Sequence, residues 1–325
     1  MKKYLITGAS GFVAYHFLVF LDSLNEECDV LGIDINIPDD FEDYSFPSLK
    51  LHFAKINLLD YSALETELVS FSPTHILHLA AFSSVAKSWD TPIDSFINNT
   101  NIFLNIAEII RKNKIKCRLL SVGSSEEYGN VPEDVIPIKE TIPLNPVSPY
   151  AVARVSQELL SQCYVASFGL DIILTRSFNH IGPRQKEVFV IPSFIRQILE
   201  KINTGQSGNI KLSTGDVSII RDFLDVRDVV QAYHTLLEKG ISGELYNVCS
   251  GKGKSIREII GILSELLNVT IEIEIDKNKI RPGDNKIIIG DNSKIKKLTG
   301  WEPKININSS LYDIISYWKN ILKIT

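Results

Sequence analysis

The sequence lacks any apolar run long enough to cross a membrane, since a spanning helix needs about 20 such residues in succession. It also lacks a basic excess, and its formal net charge of −5 at pH 7 argues against a nucleic acid as an electrostatically bound partner. The two lysines near its start are followed too soon by Thr7, Gly8 and Ser10 for the apolar core of a signal peptide. We therefore expect no membrane and no nucleic-acid partner, and a buried first strand at residues 2–8.

Cysteine is scarce. Cys28, Cys117, Cys163 and Cys249 lie far apart and show none of the spacings that metal sites use. We therefore expect no metal site, and reduced thiols in a cytoplasmic protein.

The chain alternates between apolar, strand-like runs and helical patterns. Strands are predicted at 2–8, 28–34, 49–56, 74–81, 117–124 and 170–178, and helices near 12–24, 61–70, 94–112 and 150–168. Strands that alternate with helices, and that are apolar along most of their length, indicate a parallel sheet covered on both faces. The predicted fold class is therefore α/β, with a Rossmann-type doubly wound parallel sheet.

The pattern loosens after residue 178. Helices are predicted near 190–202, 226–239, 255–267 and 307–322, and short strands near 220–225, 244–248 and 271–275. We expect two lobes: a larger one from residues 1–178 and 219–248, and a smaller α/β lobe from residues 179–218 and 249–325.

The first predicted strand runs into the segment TGASGFVAYH, in which Gly8 and Gly11 precede a helix. Gly8 permits a tight turn, Gly11 lets the backbone approach a pyrophosphate, and Ala14 allows close packing of helix on strand. A glycine pair alone is weak evidence, because many turns contain one. Its position directly after an apolar first strand predicts a dinucleotide cofactor.

The second predicted strand ends in GIDIN, which places Asp34 about 20 residues beyond the glycine turn. A carboxylate there can accept hydrogen bonds from the adenine-ribose hydroxyls and would repel a 2′-phosphate. The alternative is a solvated aspartate at a strand end. The position favours NAD(H) over NADP(H).

The fifth strand leads into SVGSSEEYG, and SPYAVAR follows about 25 residues later at the start of a helix. Ser124 can hold a substrate oxygen, and Tyr150 can exchange a proton with that oxygen while hydride moves to or from a nicotinamide. Arg154, four residues after Tyr150, supplies a cation that favours the phenolate. Glu126 is a further polar group at the same edge.

Together, TGASGFV, Asp34, HLAA (78–81), GSSEEYG and SPYAVAR resemble the extended short-chain dehydrogenase/reductase family. The second half carries matching segments: TRSFNHIGPRQ (175–185), RDFLDVRDVVQAY (221–233), YNVCSG (246–251), IRPGDN (280–285) and TGWEPK (299–304). Within the family the chain is most similar to the nucleotide-sugar branch of GDP-4-keto-6-deoxy-mannose reductases and GDP-mannose 4,6-dehydratases.

The resemblance implies a role for each matching residue. The larger lobe would bind NAD(H), and the smaller lobe a GDP-sugar. Cofactor contacts are implied for Gly8, Ser10, Gly11, Phe12, Val13, Asp34, Asn57, Leu58, Leu79, Ala80, Ala81, Asn99, Tyr150 and Arg154. Substrate contacts are implied for Ser84, Ser125, Asn179, Arg221, Arg281 and Asp284, and catalytic roles for Ser124, Tyr150, Arg154 and Glu126. Two arginines offer forked donors that suit a diphosphate.

The chain departs from the family at Arg154, where its relatives carry lysine. Arginine keeps the positive charge, but its planar fork is bulkier, is aimed differently, and gives up protons poorly. We therefore expect an enzyme with an altered site. The alternative is a catalytically impaired module that binds NAD.

The predicted reaction is hydride transfer at C4 of a GDP-linked, manno-configured sugar, either as reduction of a 4-keto group or as oxidation of a 4-hydroxyl. A GDP-mannose-type 4,6-dehydratase is the alternative, because Glu126 stands where those enzymes carry the base that removes the C5 proton. A homodimer or higher homo-oligomer is also expected. Similar proteins pair the two helices near 94–112 and 150–168, and apolar residues there exceed a single stripe: Ile97, Leu104, Leu159 and Leu160.

Overall fold

The computed structural model describes residues 1–38, 44–206, 208–280 and 285–324. Its strands are β1 (Lys2–Thr7), β2 (Cys28–Asp34), β3 (Leu49–Lys55), β4 (His75–His78), β5 (Arg118–Ser124), β6 (Asp171–Ser177), β7 (Asn179–Ile181), β8 (Asn209–Thr214), β9 (Ile220–Asp225), β10 (Leu245–Val248), β11 (Gly253–Ser255), β12 (Thr270–Ile275) and β13 (Ile287–Ile288). Its α-helices are α1 (Phe12–Ser23), α2 (Tyr61–Phe71), α3 (Val85–Asp90), α4 (Pro92–Phe96), α5 (Ile102–Asn113), α6 (Pro149–Phe168), α7 (Val190–Asn203), α8 (Val226–Lys239), α9 (Ile256–Leu267), α10 (Ser293–Thr299) and α11 (Ile307–Leu322).

A seven-stranded sheet organises the larger lobe, in the order β10-β6-β5-β4-β1-β2-β3. Every pair of neighbours in it is parallel. The inner strands are buried on both faces, which explains their continuous apolar runs, whereas the edge strand β3 alternates in exposure. The predicted α/β fold with a doubly wound parallel sheet is confirmed.

Helices cover both faces of this sheet. One core includes Phe17 and Leu21 of α1 with Tyr233 and Leu236 of α8. The core on the other face includes residues of α2, α5 and α6. Because all seven strands run the same way, their carboxyl ends lie along one edge, where loops from successive strands meet.

The smaller lobe contains β9 paired with β7, β11 and β13, and a separate parallel pair of β8 and β12. Its core is formed mainly by the apolar faces of α7, α9 and α11. Strand β10 returns to the large sheet beside β6, while β9 remains in the smaller lobe.

The helix predicted near 94–112 is interrupted. It consists of α4, a π-helical turn at Ile97–Asn101, and α5. The interrupting segment, INNTN, contains three asparagines and a threonine, which are weak helix formers. Within the described residues, none of the helices is long and apolar enough to span a membrane.

Candidate active site

The carboxyl ends of the parallel strands open into a cleft of about 1840 Å³ that the smaller lobe also lines. Most of the residues singled out from the sequence line it. They are Gly8, Ser10, Gly11, Phe12, Val13, Asp34, Asn57, Leu58, Leu79, Ala80, Ala81, Ser84, Ser124, Ser125, Glu126, Tyr150, Arg154, Asn179 and Arg221. Two others, Arg281 and Asp284, lie outside the described residues.

The glycine turn after β1 has the shape that a dinucleotide needs. Gly8 has a φ of +70°, and a Cβ atom added to it would lie 2.8 Å from the backbone nitrogen of Ala80. Gly11 precedes α1, and no side chain in the described part of the chain caps that helix. The amino end of α1 is therefore open to an anion such as a pyrophosphate, and the turn fits the predicted cofactor.

The carboxylate of Asp34 is fixed against this turn. Its Oδ2 accepts hydrogen bonds from the backbone N–H of Ser10, at 3.0 Å, and from the Ser10 hydroxyl, at 2.6 Å. Lys55 is its register neighbour on β3 and also lines the cleft. The residue expected to choose between the two nicotinamide cofactors is thus held by the loop that would hold their pyrophosphate.

Ser124 ends β5 and begins a tight 3₁₀ turn. Its hydroxyl oxygen accepts a hydrogen bond from the N–H of Glu126 at 3.2 Å, which leaves its hydrogen to donate elsewhere. Its own N–H donates to Glu127 at 2.6 Å. The two adjacent glutamates have different surroundings, because Glu126 lines the cleft whereas Glu127 is completely buried.

A buried charge cluster supports this turn from behind. Arg176 donates two hydrogen bonds to Glu158, at 2.8 and 2.7 Å, and lies 3.9 Å from Glu127. Burial, and then the neighbouring Glu158, raise the pKa of Glu127 well above its ordinary value. Arg176 is thus held between two buried glutamates behind the turn that carries Ser124.

Tyr150 and Arg154 lie one turn apart at the start of α6, which Ser148 caps. The Nε–H of Arg154 donates to the Tyr150 hydroxyl at 3.2 Å. Both side chains are buried, with exposures of 7% and 6%, yet both line the cleft. Arg154, which stands where the resemblance implied a lysine, thus contacts the phenolic oxygen directly with a charged donor.

His78 lies near this pair and does not add a second cation. Burial, together with the charge of Arg154, lowers the pKa of His78 to about 3. Its Nδ1 is 2.8 Å from the hydroxyl of Thr7. The imidazole is therefore neutral at physiological pH.

Asn99 is the exception among the predicted contacts. Its side chain is completely buried, and it exchanges hydrogen bonds with the backbone of Phe82 and donates to the backbone oxygen of Ser95. It is absent from the cleft lining and fastens the loop after β4 to the π-helical turn. In the structure it supports the cleft wall from behind, whereas the resemblance implied direct contact with the cofactor.

The smaller lobe contributes cations to the far end of the cleft. Arg221 is mostly buried, and its Nη1 donates to the backbone oxygen of Asn285 at 2.7 Å. Lys186, Lys279 and Lys286 also line the cleft. These lysines lie outside the motifs recognised in the sequence, and only the fold brings them together from separate segments. Lys286 is paired with Asp216 at 2.6 Å, whereas Lys186 and Lys279 add positive charge that suits a diphosphate.

Several further lining residues stood in quoted motifs without being singled out. GPRQ supplies Arg184 and Gln185 to the cleft. Gln185 is 6% exposed, and its Oε1 has no hydrogen-bond partner among the described residues. The motif was therefore a usable signal for both.

Comparisons with known proteins agree with this geometry. The family model of GDP-mannose 4,6 dehydratase matches residues 5–314. A GDP-6-deoxy-D-mannose reductase of Pseudomonas aeruginosa is 32% identical, over 98% of this chain and 98% of its own length.

Solved structures are similar as well. RMD from Pseudomonas aeruginosa, complexed with NADPH, has a TM-score of 0.84 and 31% identity, with 99% of this chain and 100% of that chain covered. A Thermus thermophilus UDP-glucose 4-epimerase in complex with NAD has a TM-score of 0.84 and 26% identity, with 98% and 99% covered. The chain belongs to the GDP-mannose 4,6-dehydratase family of extended short-chain dehydrogenase/reductases, which are NAD(P)-dependent nucleotide-sugar enzymes.

Proposed function

We propose that this protein is an NAD(H)-dependent oxidoreductase that acts at C4 of a GDP-linked, manno-configured sugar, as a 4-keto-sugar reductase or a 4-dehydrogenase. The observation that carries the proposal is the hydrogen bond from Arg154 to the Tyr150 hydroxyl in the cleft that Ser124 also lines. The GDP-6-deoxy-D-mannose reductase relative, similar along the whole chain, supports this choice of substrate.

The chain's own residues would handle the proton and the substrate oxygen. The Ser124 hydroxyl would donate a hydrogen bond to the C4 oxygen. Tyr150 would transfer a proton to that oxygen during reduction, or accept one from it during oxidation. Arg154 would stabilise the phenolate that forms when Tyr150 gives up its proton. Bound NAD(H) would supply or accept the hydride.

A 4,6-dehydratase is the second candidate, because Glu126 lines the same cleft. A base there could remove the C5 proton after oxidation at C4. This cycle uses no external oxidant, so its product would differ from the substrate by the loss of one water.

Mass spectrometry after incubation with GDP-sugars tests the proposal. With NADH and a GDP-4-keto sugar, we expect a gain of two hydrogen atoms, and deuterium from labelled NADH at C4. With NAD and GDP-mannose or a GDP-heptose, loss of two hydrogen atoms would indicate the dehydrogenase, and loss of water the dehydratase. Cofactor binding without any conversion would contradict the proposal and favour an impaired binding module.

The choice of nucleotide is tested separately, by calorimetry with GDP, UDP and dTDP. We propose that the smaller lobe, residues 179–218 and 249–325 together with β9, binds the nucleotide sugar, and that residues 1–178 together with α8 and β10 bind NAD(H). Arg221 and the lysines of the far end support binding of a diphosphate, and the resemblance supports guanine. Tighter binding of UDP than of GDP would reject the choice of base.

We also propose a cytoplasmic location, which the four unpaired cysteines support.

Replacement of Asp34 by alanine is expected to weaken the preference for NADH over NADPH by about tenfold, or ~1.4 kcal/mol. The carboxylate that repels a 2′-phosphate is removed, while Lys55 remains opposite it to attract one. Fluorescence titration with both cofactors measures the ratio. The double variant Asp34→Ala/Lys55→Ala is the control, and it should lose most of the gain for NADPH. Wild-type protein that binds NADPH as well as NADH would contradict the assignment.

Self-association is proposed through apolar side chains on three neighbouring helices, since α3 and α4 both pack against α6. Trp89, Ile93, Phe96, Val152 and Leu159 are exposed there, and we call them the α6 patch. Of the residues predicted from the sequence, Leu159 is exposed, whereas Ile97, Leu104 and Leu160 are partly buried. Covering such a patch with a second copy would remove apolar area from water.

Replacement of Leu159 by aspartate is therefore expected to shift the protein towards monomer in sedimentation velocity at micromolar concentration. Tyr312 on α11 is exposed to a similar degree, and Tyr312→Asp serves as the matched control that should leave the association state unchanged. Wild-type protein that sediments as a monomer would exclude this interface.

A further inference from the structure

The buried network around Arg154 contains a residue to which neither the motifs nor the resemblance assigned a role. Gln157 lies three residues after Arg154 and seven after Tyr150, so the three side chains share one face of α6. Gln157 is 1% exposed. Its Oε1 accepts a hydrogen bond from Nη1 of Arg154 at 2.8 Å.

Gln157 is itself held in place. Its Nε2 donates to the hydroxyl of Ser121 at 2.9 Å and to the backbone oxygen of Val122 at 3.2 Å. The same Val122 oxygen accepts from Nη1 of Arg154 at 3.0 Å. Gln157 and the end of β5 therefore form a rigid acceptor site for one corner of the guanidinium.

We propose that Gln157 is the positioning residue that allows arginine to serve as the cation of Tyr150. A guanidinium is planar, so fixing Nη1 on Gln157 and Val122 sets the direction in which Nε points, which is towards the Tyr150 hydroxyl. Nη2 has no hydrogen-bond partner in the described chain. A lysine ammonium is a compact group without this fork and would not need the glutamine.

This proposal rests on the proposed function, in which Tyr150 exchanges the proton. Without the Oε1 of Gln157, Nη1 of Arg154 would keep only the backbone oxygen of Val122 as a hydrogen-bond acceptor. The guanidinium could then turn away from Tyr150. The effect should therefore depend on arginine being present at position 154. If Gln157 only stabilised the fold, its substitution would lower kcat by the same factor with arginine or with lysine at position 154.

A double-mutant cycle with Gln157→Met and Arg154→Lys tests this dependence. With arginine at position 154, Gln157→Met should lower kcat roughly tenfold, the loss expected for one charge-assisted hydrogen bond. In the Arg154→Lys background the same change should alter kcat within about twofold, the limit for independent sites. Equal losses in both backgrounds, or failure to fold in both, would give Gln157 a role in stability alone and overturn the proposal.

Ser161→Ala is the matched control. The Ser161 hydroxyl lies 2.8 Å from the backbone oxygen of Gln157 and 3.0 Å from the hydroxyl of Ser121 in the same buried network, but it touches neither Arg154 nor the side chain of Gln157. This variant should lower the melting temperature and leave kcat unchanged. A tenfold loss of kcat in Ser161→Ala would mean that any damage to the network has this effect, which would contradict a specific role for Gln157.

A second measurement needs no substrate and separates this proposal from the proposed function. Tyrosinate absorbance, as the difference between each protein and its Tyr150→Phe counterpart, reports ionisation of Tyr150 alone. Gln157→Met should move that transition to higher pH, because the guanidinium no longer faces the phenolate. The substitution changes none of the other ionisable groups near Tyr150. They are His78, which is close enough to Arg154 to be affected by its charge, and the cleft residues Asp34, Lys55, Asp94, Glu126, Arg154, His180, Arg184, Lys186, Asp216, Arg221, Tyr233, Lys279, Lys286 and Tyr317. An unchanged transition would overturn the positioning role even if GDP-sugars are converted, whereas a shifted transition without any conversion would reject only the proposed function.

Discussion

Replacement of Tyr150 by phenylalanine is expected to lower kcat by about 10²–10⁴-fold, the usual contribution of a general acid or base. The substitution keeps the buried ring and removes only the hydroxyl that Arg154 contacts. Binding of NADH should persist, because the glycine turn and Asp34 are untouched. Steady-state kinetics with the GDP-sugar found by mass spectrometry, together with fluorescence titration of NADH, measures both quantities.

Tyr128→Phe is the control for loss of a buried tyrosine hydroxyl. Tyr128 is completely buried, and its hydroxyl donates to Asn247 at 2.7 Å, away from the cleft lining. That variant should lose stability by about 1 kcal/mol and keep its kcat. If Tyr150→Phe retained wild-type turnover, another group would have to move the proton, and the proposed chemistry would be wrong.

The sequence was sufficient for the parts of the molecule that local rules decide. Continuous apolar runs predicted the inner strands, because a parallel sheet buries both of its faces. The glycine motif after the first strand placed Gly8 in a tight turn, and in the structure the backbone of Ala80 leaves no space there for a side chain. The π-helical turn at Ile97–Asn101 was not foreseen, since a short interruption hardly alters the periodicity of the helix around it.

The orientation of side chains that packing brings together could not be predicted from the sequence. The spacing of Tyr150 and Arg154 predicted that they are neighbours, but not that Nε is the atom that faces the hydroxyl. That detail depends on Gln157 and on the end of β5, and the strand lies far from α6 in the sequence. Lys279 and Lys286 likewise reach the cleft only through the fold of the smaller lobe.

Loss of the cation next to Tyr150 is expected to be nearly as damaging as loss of the hydroxyl. In Arg154→Met, a side chain of moderate length replaces the guanidinium, so the phenolate loses its charge-assisted hydrogen bond in a buried setting. We expect kcat at neutral pH to fall by about 10²-fold or more, within the range for impaired acid–base catalysis. The pH dependence of kcat should move upward, because the phenolate then forms only at higher pH.

Arg154→Lys separates the charge of this residue from its shape. Lysine restores a cation of the kind found in similar enzymes, so kcat should stay within about tenfold of wild type, or ~1.4 kcal/mol. The pH profile should also stay close to that of wild type, because a positive charge still faces Tyr150. The comparison is made by measuring kcat across pH for wild type, Arg154→Lys and Arg154→Met at saturating NADH. If the methionine variant turns over as fast as wild type with the same pH profile, Arg154 is not the partner of Tyr150, and its replacement of lysine has no bearing on the chemistry.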